Sequence, residues 1–144
     1  MITLREARHG DAQAIATLAS TLGYPVETAV MQARLDKILG LADQLIVLAE
    51  DENHTACGWL TAHAFGTLAS GYRVQITGLV VSAQYRRFGI GRQLVERAEA
   101  WARSLRAEAV VVFSNVQRTE SHAFYPAIGY TNTKTEAVYR KAIS

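Results

Sequence analysis

Val74-Gln75-Ile76-Thr77-Gly78-Leu79-Val80-Val81-Ser82-Ala83-Gln84-Tyr85-Arg86-Arg87-Phe88-Gly89-Ile90-Gly91-Arg92-Gln93-Leu94 decides how this chain is read. Val74 to Val81 is rich in β-branched residues and predicts a buried strand, while from Ile90 apolar residues recur at helical spacing, so a turn lies at Tyr85 to Gly91. Gly89 and Gly91 let the backbone approach a ligand without a Cβ in the way, and the first turn of a helix leaves N–H groups without partners. Those donors, the positive end of the helix and Arg86, Arg87 and Arg92 form an anion site. So many convergent donors suit a pyrophosphate better than a single carboxylate. No Gly-Lys-Ser/Thr follows, as a P-loop needs, and no third glycine stands at the dinucleotide-binding spacing. The plainer alternative is a glycine-eased turn with solvated arginines.

Working outward, Tyr72 to Val81 is preceded by a hairpin: Gln44 to Glu50 and Ala56 to Phe65 read as strands around the turn Asp51-Glu52-Asn53-His54. Ile2 to Ala7 alternates as a first strand. Asp11 is placed to N-cap a helix whose buried face is Ala12, Ile15, Ala16, Leu18, Ala19 and Leu22, closed by Gly23. A second helix spans Glu27 to Leu39, ended by Gly40. The helix from Gly89 to about Arg106 buries Ile90, Leu94, Ala98, Trp101, Ala102 and Leu105. Beyond it the apolar run in Glu108 to Ser114 suits a central strand covered on both faces, parallel to Tyr72–Val81 because a helix joins the two. A short helix to Ile128 and strands at Tyr130 to Thr135 and Ala137 to Ala142 complete the chain.

The 144 residues, 49% of them hydrophobic, predict one domain able to bury a core. With 15 Lys plus Arg against 13 Asp plus Glu, a solvated mixed surface is expected in place of a nucleic-acid-binding one. One cysteine, Cys57, cannot form an internal disulfide, and His54 with Cys57 supplies too few ligands for zinc. The first residues carry Arg5, Glu6 and Arg8 where a secretory leader would be apolar, and no apolar stretch is long enough to span a bilayer. A cytoplasmic protein is expected.

The run Arg86-Arg87-Phe88-Gly89-Ile90-Gly91, following Leu79-Val80-Val81, resembles the Arg/Gln-x-x-Gly-x-Gly/Ala motif of the GCN5-related N-acetyltransferases (GNAT). Ala123-Phe124-Tyr125-Pro126-Ala127-Ile128-Gly129-Tyr130 resembles the C-terminal motif of the same family, and the order βαα, three strands, α, β, α, ββ is that of its fold. The resemblance therefore covers essentially the whole chain. It implies a mixed α/β acyl-CoA N-acyltransferase fold in a single domain over residues 1–144, with acetyl-CoA as cosubstrate and no metal. It also implies an enzyme that passes acetyl to a primary amine, on a small molecule or a peptide, by direct attack in a ternary complex.

By the same resemblance, backbone groups of Leu79, Val80 and Val81 pair with the pantetheine arm and supply an oxyanion donor. Arg86, Arg87, Phe88, Gly89, Ile90, Gly91 and Arg92 hold the pyrophosphate, and Asn115, Ser121 and Phe124 flank the cofactor. Tyr125 is the general acid for the departing thiolate, since a phenol with a pKa of about 10 is protonated at neutral pH. The family often forms homodimers, and the edges of the last strands offer a means to pair. No membrane or nucleic-acid partner is implied.

One feature departs from the family's pattern. Many members carry a glutamate base on the central strand, where this chain reads Gln75-Ile76-Thr77-Gly78. His63 and His122 are the other candidates, each more readily read as a structural or exposed residue than as a base, and an amine of low pKa needs no base at all. The missing carboxylate also motivates a rival reading, a non-catalytic CoA-binding regulatory module.

Overall fold

Apolar alternation builds one sheet, ordered β1-β2-β3-β4-β5, from β1 (Thr3–Glu6), β2 (Gln44–Glu50), β3 (Ala56–Thr67), β4 (Gly71–Val81) and β5 (Ala109–Val112). The computed structural model describes residues 1–21, 23–86, 88–115 and 119–143, except the side chains of Thr119 and Ser121. The helices are α1 (Ala12–Thr21), α2 (Thr28–Ile38), α3 (Ile90–Ser104) and α4 (Thr119–Ala127). Strands β1 to β4 pair antiparallel in succession, and β5 lies parallel to β4 because α3 makes the crossover between them. The mixed α/β class and this order up to α4 follow the sequence reading.

Strand β3 shows how the layers are set. Leu60, Ala62 and Ala64 are buried, while Trp59, Thr61, His63 and Phe65 on the opposite face are half-buried. The buried row lies under α3: a Cβ on Gly58 would stand 3.3 Å from Ile90 Cγ2 and 3.4 Å from Leu94 Cδ1. Toward the other face the Trp59 indole N–H donates to the carbonyl of Ile15 in α1 at 3.2 Å. There Ile15, Leu35, Ile46 and Leu48 form a core with Met31 and Ile38. Full burial of a residue such as Leu48 or Leu94 stabilises the fold by about 1.5–3 kcal/mol.

Asp11 does not cap α1 in the expected way. It closes a 3₁₀ turn, His9–Asp11, its Oδ2 accepting the Arg8 N–H at 2.6 Å, and its two oxygens accept from Arg5 at 2.9 and 2.8 Å. The Arg5 Nε also donates to Glu50 at 2.8 Å, so one guanidinium joins β1, the 3₁₀ turn and the end of β2. Gly23, with φ +86°, follows α1 in the left-handed conformation that glycine adopts without strain. Leu22, expected on the buried face, lies outside the described residues.

Two expectations are corrected. Strand β5 is not central among the described residues: in the first unit it stands last in the sheet, paired with β4 over Ala109 to Val112, with Ala109 exposed and the three valines half-buried. Its continuous apolar run reported hydrophobicity, which does not by itself supply a second neighbour. Residues 130–143 contain no strand. Alternation alone does not make a strand, which needs a ladder, and Val138, Tyr139 and Ile143 are exposed there. The chain divides into two compact units, Met1–Val112 with the sheet and Phe113–Ser144 with α4.

Candidate functional site

The first unit opens an edge of β4. The ladder to β5 pairs Arg73 to Ile76 with Ala109 to Val112 and stops there, whereas the ladder to β3 runs on to Val81. Among the described residues, Thr77 to Val81 therefore have a strand on one side only. A register shift lies at the same place: Thr61 pairs with Gly78 and Ala62 with Ile76, leaving Thr77 as an extra residue. Such a bulge bends and re-aims a strand. The Thr77 and Thr61 hydroxyls meet at 2.8 Å, and a Cβ on Gly78 would come within 2.6 Å of the Trp59 ring, so a side chain there would require the ring to shift.

From this edge the chain enters the helix. A 3₁₀ turn, Ala83–Tyr85, and an extended Arg86 lead to Gly89, whose φ of +75° and ψ of 15° set the N-cap of α3. The first helical bond runs from Gln93 N–H to the Gly89 carbonyl at 3.0 Å, so the N–H groups of Ile90, Gly91 and Arg92 have no carbonyl within the helix. Ile90, 1% exposed, anchors this end to the sheet. Gly58 permits the approach, since a Cβ there would sit 2.9 Å from the Val80 carbonyl. The donors of the helix terminus are thus fixed close to the open part of β4.

The expected cofactor residues of this unit fall on that path: Leu79, Val80 and Val81 on the open edge, Arg86, Phe88 and Gly89 in the loop, Ile90, Gly91 and Arg92 in the first helical turn. Arg86 is exposed. The Arg92 guanidinium bonds to Glu96 at 3.1 Å along the helix. Arg87 lies outside the described residues. One contact was not foreseen: Tyr85 Oη donates to Asp51 Oδ2 at 2.5 Å, tying the loop to the β2–β3 turn.

His63 stands on β3 with its Nε2 3.4 Å from Asp43 Oδ2 and its ring stacked 5.0 Å from Phe65, over which the Arg73 guanidinium sits at 5.2 Å. Asp36, one of the acidic residues near α2, is held by His9 at 2.6 Å and Gln32 at 2.9 Å, and the His9 bond keeps its carboxyl below the usual range. Cys57 is buried, and burial raises its thiol pKa, which makes it a poor nucleophile. Among the described residues no group of three or more His, Cys, Asp or Glu could hold a metal.

In the second unit Tyr125 is half-buried on α4, its ring edge-on to Phe124 at 5.0 Å and to Tyr130 at 5.9 Å. Burial raises its pKa, so the phenol keeps its proton through the neutral range. Its carbonyl accepts the N–H groups of Ile128 and Tyr130 at 3.2 and 3.0 Å, closing the helix before Gly129, whose φ is +100°. Asn115 and His122 are exposed, and the Ser121 side chain lies outside the described residues.

Comparison with known proteins matches residues 12–130 to the acetyltransferase (GNAT) family. An aminoglycoside N(6′)-acetyltransferase type 1 of Acinetobacter genomosp. 13 is 26% identical over 113 residues, 76% of this chain and 77% of that one. Among solved structures, the aminoglycoside 6′-N-acetyltransferase AAC(6′)-Ih of Acinetobacter baumannii superposes with a TM-score of 0.86 at 23% identity over 100% of both chains. The aminoglycoside N-acetyltransferase AAC(6′)-Iy in complex with CoA gives 0.89 at 18% identity, over 99% of this chain and 96% of that one. At those identities the two structures speak to the fold.

Proposed function

The chain belongs to the acetyltransferase (GNAT) family and is an acetyl-CoA-dependent N-acetyltransferase, and on that footing we propose that its acceptor is a primary amine attacking the thioester directly in a ternary complex. The observation that carries this reading is the β4 edge that, among the described residues, is left open beyond Ile76 and leads, through Gly89, to the N–H groups of α3 that have no acceptor within the helix. The pantetheine arm pairs with Leu79 to Val81, one of whose N–H groups stabilises the oxyanion. The pyrophosphate lies on the N–H groups of Gly89 to Arg92, with Arg86 and Arg87 as side-chain partners. Asn115, Ser121 and Phe124 flank the cofactor, and Tyr125 gives its proton to the leaving sulfur. The relatives' names make an aminoglycoside-like amino sugar the first acceptor to try.

An alkyl ammonium of pKa about 10.4 must lose a proton before it can attack. Free-thiol release from acetyl-CoA, measured against amino sugars, polyamines, amino acids and peptides across neutral pH, tests the proposal. Turnover with one class is expected. A rate limb near pH 6–7 assigns the proton to a histidine, with His63 beside Asp43 as the residue to mutate. A limb following the amine's own pKa means no dedicated base. Silence across the panel with CoA bound would overturn the amine assignment.

We also propose a homodimer in which a second copy covers the strandless tail, because Val138, Tyr139 and Ile143 are exposed on it. Sedimentation should show a dimer that Val138→Asp with Tyr139→Asp reduces to monomer. A wild-type monomer at micromolar concentration would dismiss it.

A further inference from the structure

The turn between β2 and β3 is bonded to the loop that opens α3. Asp51 is fixed on its own side: its Oδ1 accepts the N–H groups of Asn53 and Thr55 at 2.9 and 3.0 Å, and its backbone N–H donates to the Thr55 carbonyl at 3.0 Å. Its remaining oxygen, Oδ2, accepts from Tyr85 Oη at 2.5 Å. Tyr85 closes the 3₁₀ turn by donating its N–H to the Ser82 carbonyl at 2.9 Å, and the Phe88 N–H donates to the Tyr85 carbonyl at 3.4 Å. The Tyr85 and Phe88 rings lie 6.0 Å apart. Among the described residues of 82–89 this is the side-chain hydrogen bond that reaches another element, while Arg86 and Phe88 are exposed. The bond itself keeps the phenol above and the carboxyl below their ordinary pKa values, so donor and acceptor stay in these roles at neutral pH.

We propose that Asp51 is a positioning residue for the cofactor, holding the pyrophosphate loop in its binding conformation through Tyr85. The proposal rests on the reading that the CoA pyrophosphate lies on this loop. A loop already fixed in the bound shape loses less conformational freedom when the ligand arrives, so an untied loop binds more weakly. The carboxylate suits the task because one oxygen is used to build the turn and the other remains to hold the tyrosine.

Titration calorimetry with CoA and with inorganic pyrophosphate, on wild type, Asp51→Ala, Asp51→Asn, Tyr85→Phe and the Asp51→Ala/Tyr85→Phe pair, tests this. Tyr85→Phe should raise Kd for both ligands by roughly 3- to 10-fold. Asp51→Ala should do at least as much, the double variant should be no weaker than Asp51→Ala alone, and Asp51→Asn, whose amide oxygen keeps the turn while its NH2 donates to the Tyr85 oxygen, should recover most of the affinity. Wild-type Kd values in Tyr85→Phe and both Asp51 variants would overturn the positioning role while leaving the loop as the cofactor site. Multiplicative losses in the double variant would overturn the path through Tyr85. CoA binding in wild type with no pyrophosphate binding, and equal CoA affinity in all variants, would overturn the loop reading itself. If Asp51→Ala melts early, Tyr85→Phe and Asp51→Asn, which leave the turn bonded, decide the matter.

Discussion

Tyr125→Phe is expected to lower kcat about 10²-fold while changing KM for acetyl-CoA by less than about threefold. Attack on the thioester builds negative charge on sulfur, and a hydrogen bond from a phenol strengthens as that charge grows. The interaction therefore acts on the transition state more than on the bound substrate. Burial raises the Tyr125 pKa, which secures the proton in the resting enzyme. Phenylalanine keeps the edge-on packing with Phe124 and Tyr130, so the variant should melt like wild type and any loss can be assigned to the hydroxyl. The check is steady-state kinetics with the acceptor found in the thiol-release assay, under conditions where chemistry limits the rate. An unchanged kcat would remove Tyr125 from the reaction.

Arg5→Ala should destabilise the fold by about 2–4 kcal/mol, somewhat below the range for a fully buried pair because the guanidinium is one-fifth exposed. The side chain binds Asp11 through two nitrogens and Glu50 through Nε, and both carboxylates are only 12% exposed. Removing the cation leaves two poorly solvated negative groups facing one another. For a domain of this size the melting temperature should fall by about 5–15 °C. The sign with pH follows from Asp11, whose carboxyl is held below its ordinary value first by the Arg5 hydrogen bond. A depressed folded-state pKa stabilises fully above the unfolded value of about 3.9 and is lost as pH falls through the folded value. The gap between wild type and Arg5→Ala should thus be full at pH 6–7 and shrink below about pH 4. Thermal melts over that range measure it, and a gap that does not depend on pH would mean that Arg5 acts by packing alone.

The sequence carried most of the fold because each element through α4 has a local period, and the β4–α3 turn could be found because Gly89 must supply a positive φ. The residues proposed to hold the cofactor could be placed on that loop and first helical turn for the same reason. What escaped were contacts between segments distant in the chain. Asp51 read as a plain turn residue, and nothing in its neighbourhood announces Tyr85, 34 positions away. Arg5 and Glu50, 45 apart, pair only once β1 and β2 have formed a ladder. The tail failed for a different reason. Its alternation satisfies the pattern of a strand, yet a strand exists only where another backbone completes its hydrogen bonds, and no residue of 130–143 gains that status.

The central claim is that the cofactor's pyrophosphate sits on the N-terminus of α3. Amide ¹H–¹⁵N spectra recorded while CoA is titrated into the full chain test it most directly, with pantetheine, which lacks the pyrophosphate, as the comparison. The largest shifts with CoA should gather on Gly89, Ile90, Gly91 and Arg92 and be absent with pantetheine, which should move only Leu79 to Val81 and their neighbours. Saturable CoA binding that leaves the Gly89 to Arg92 amides unmoved would contradict the claim.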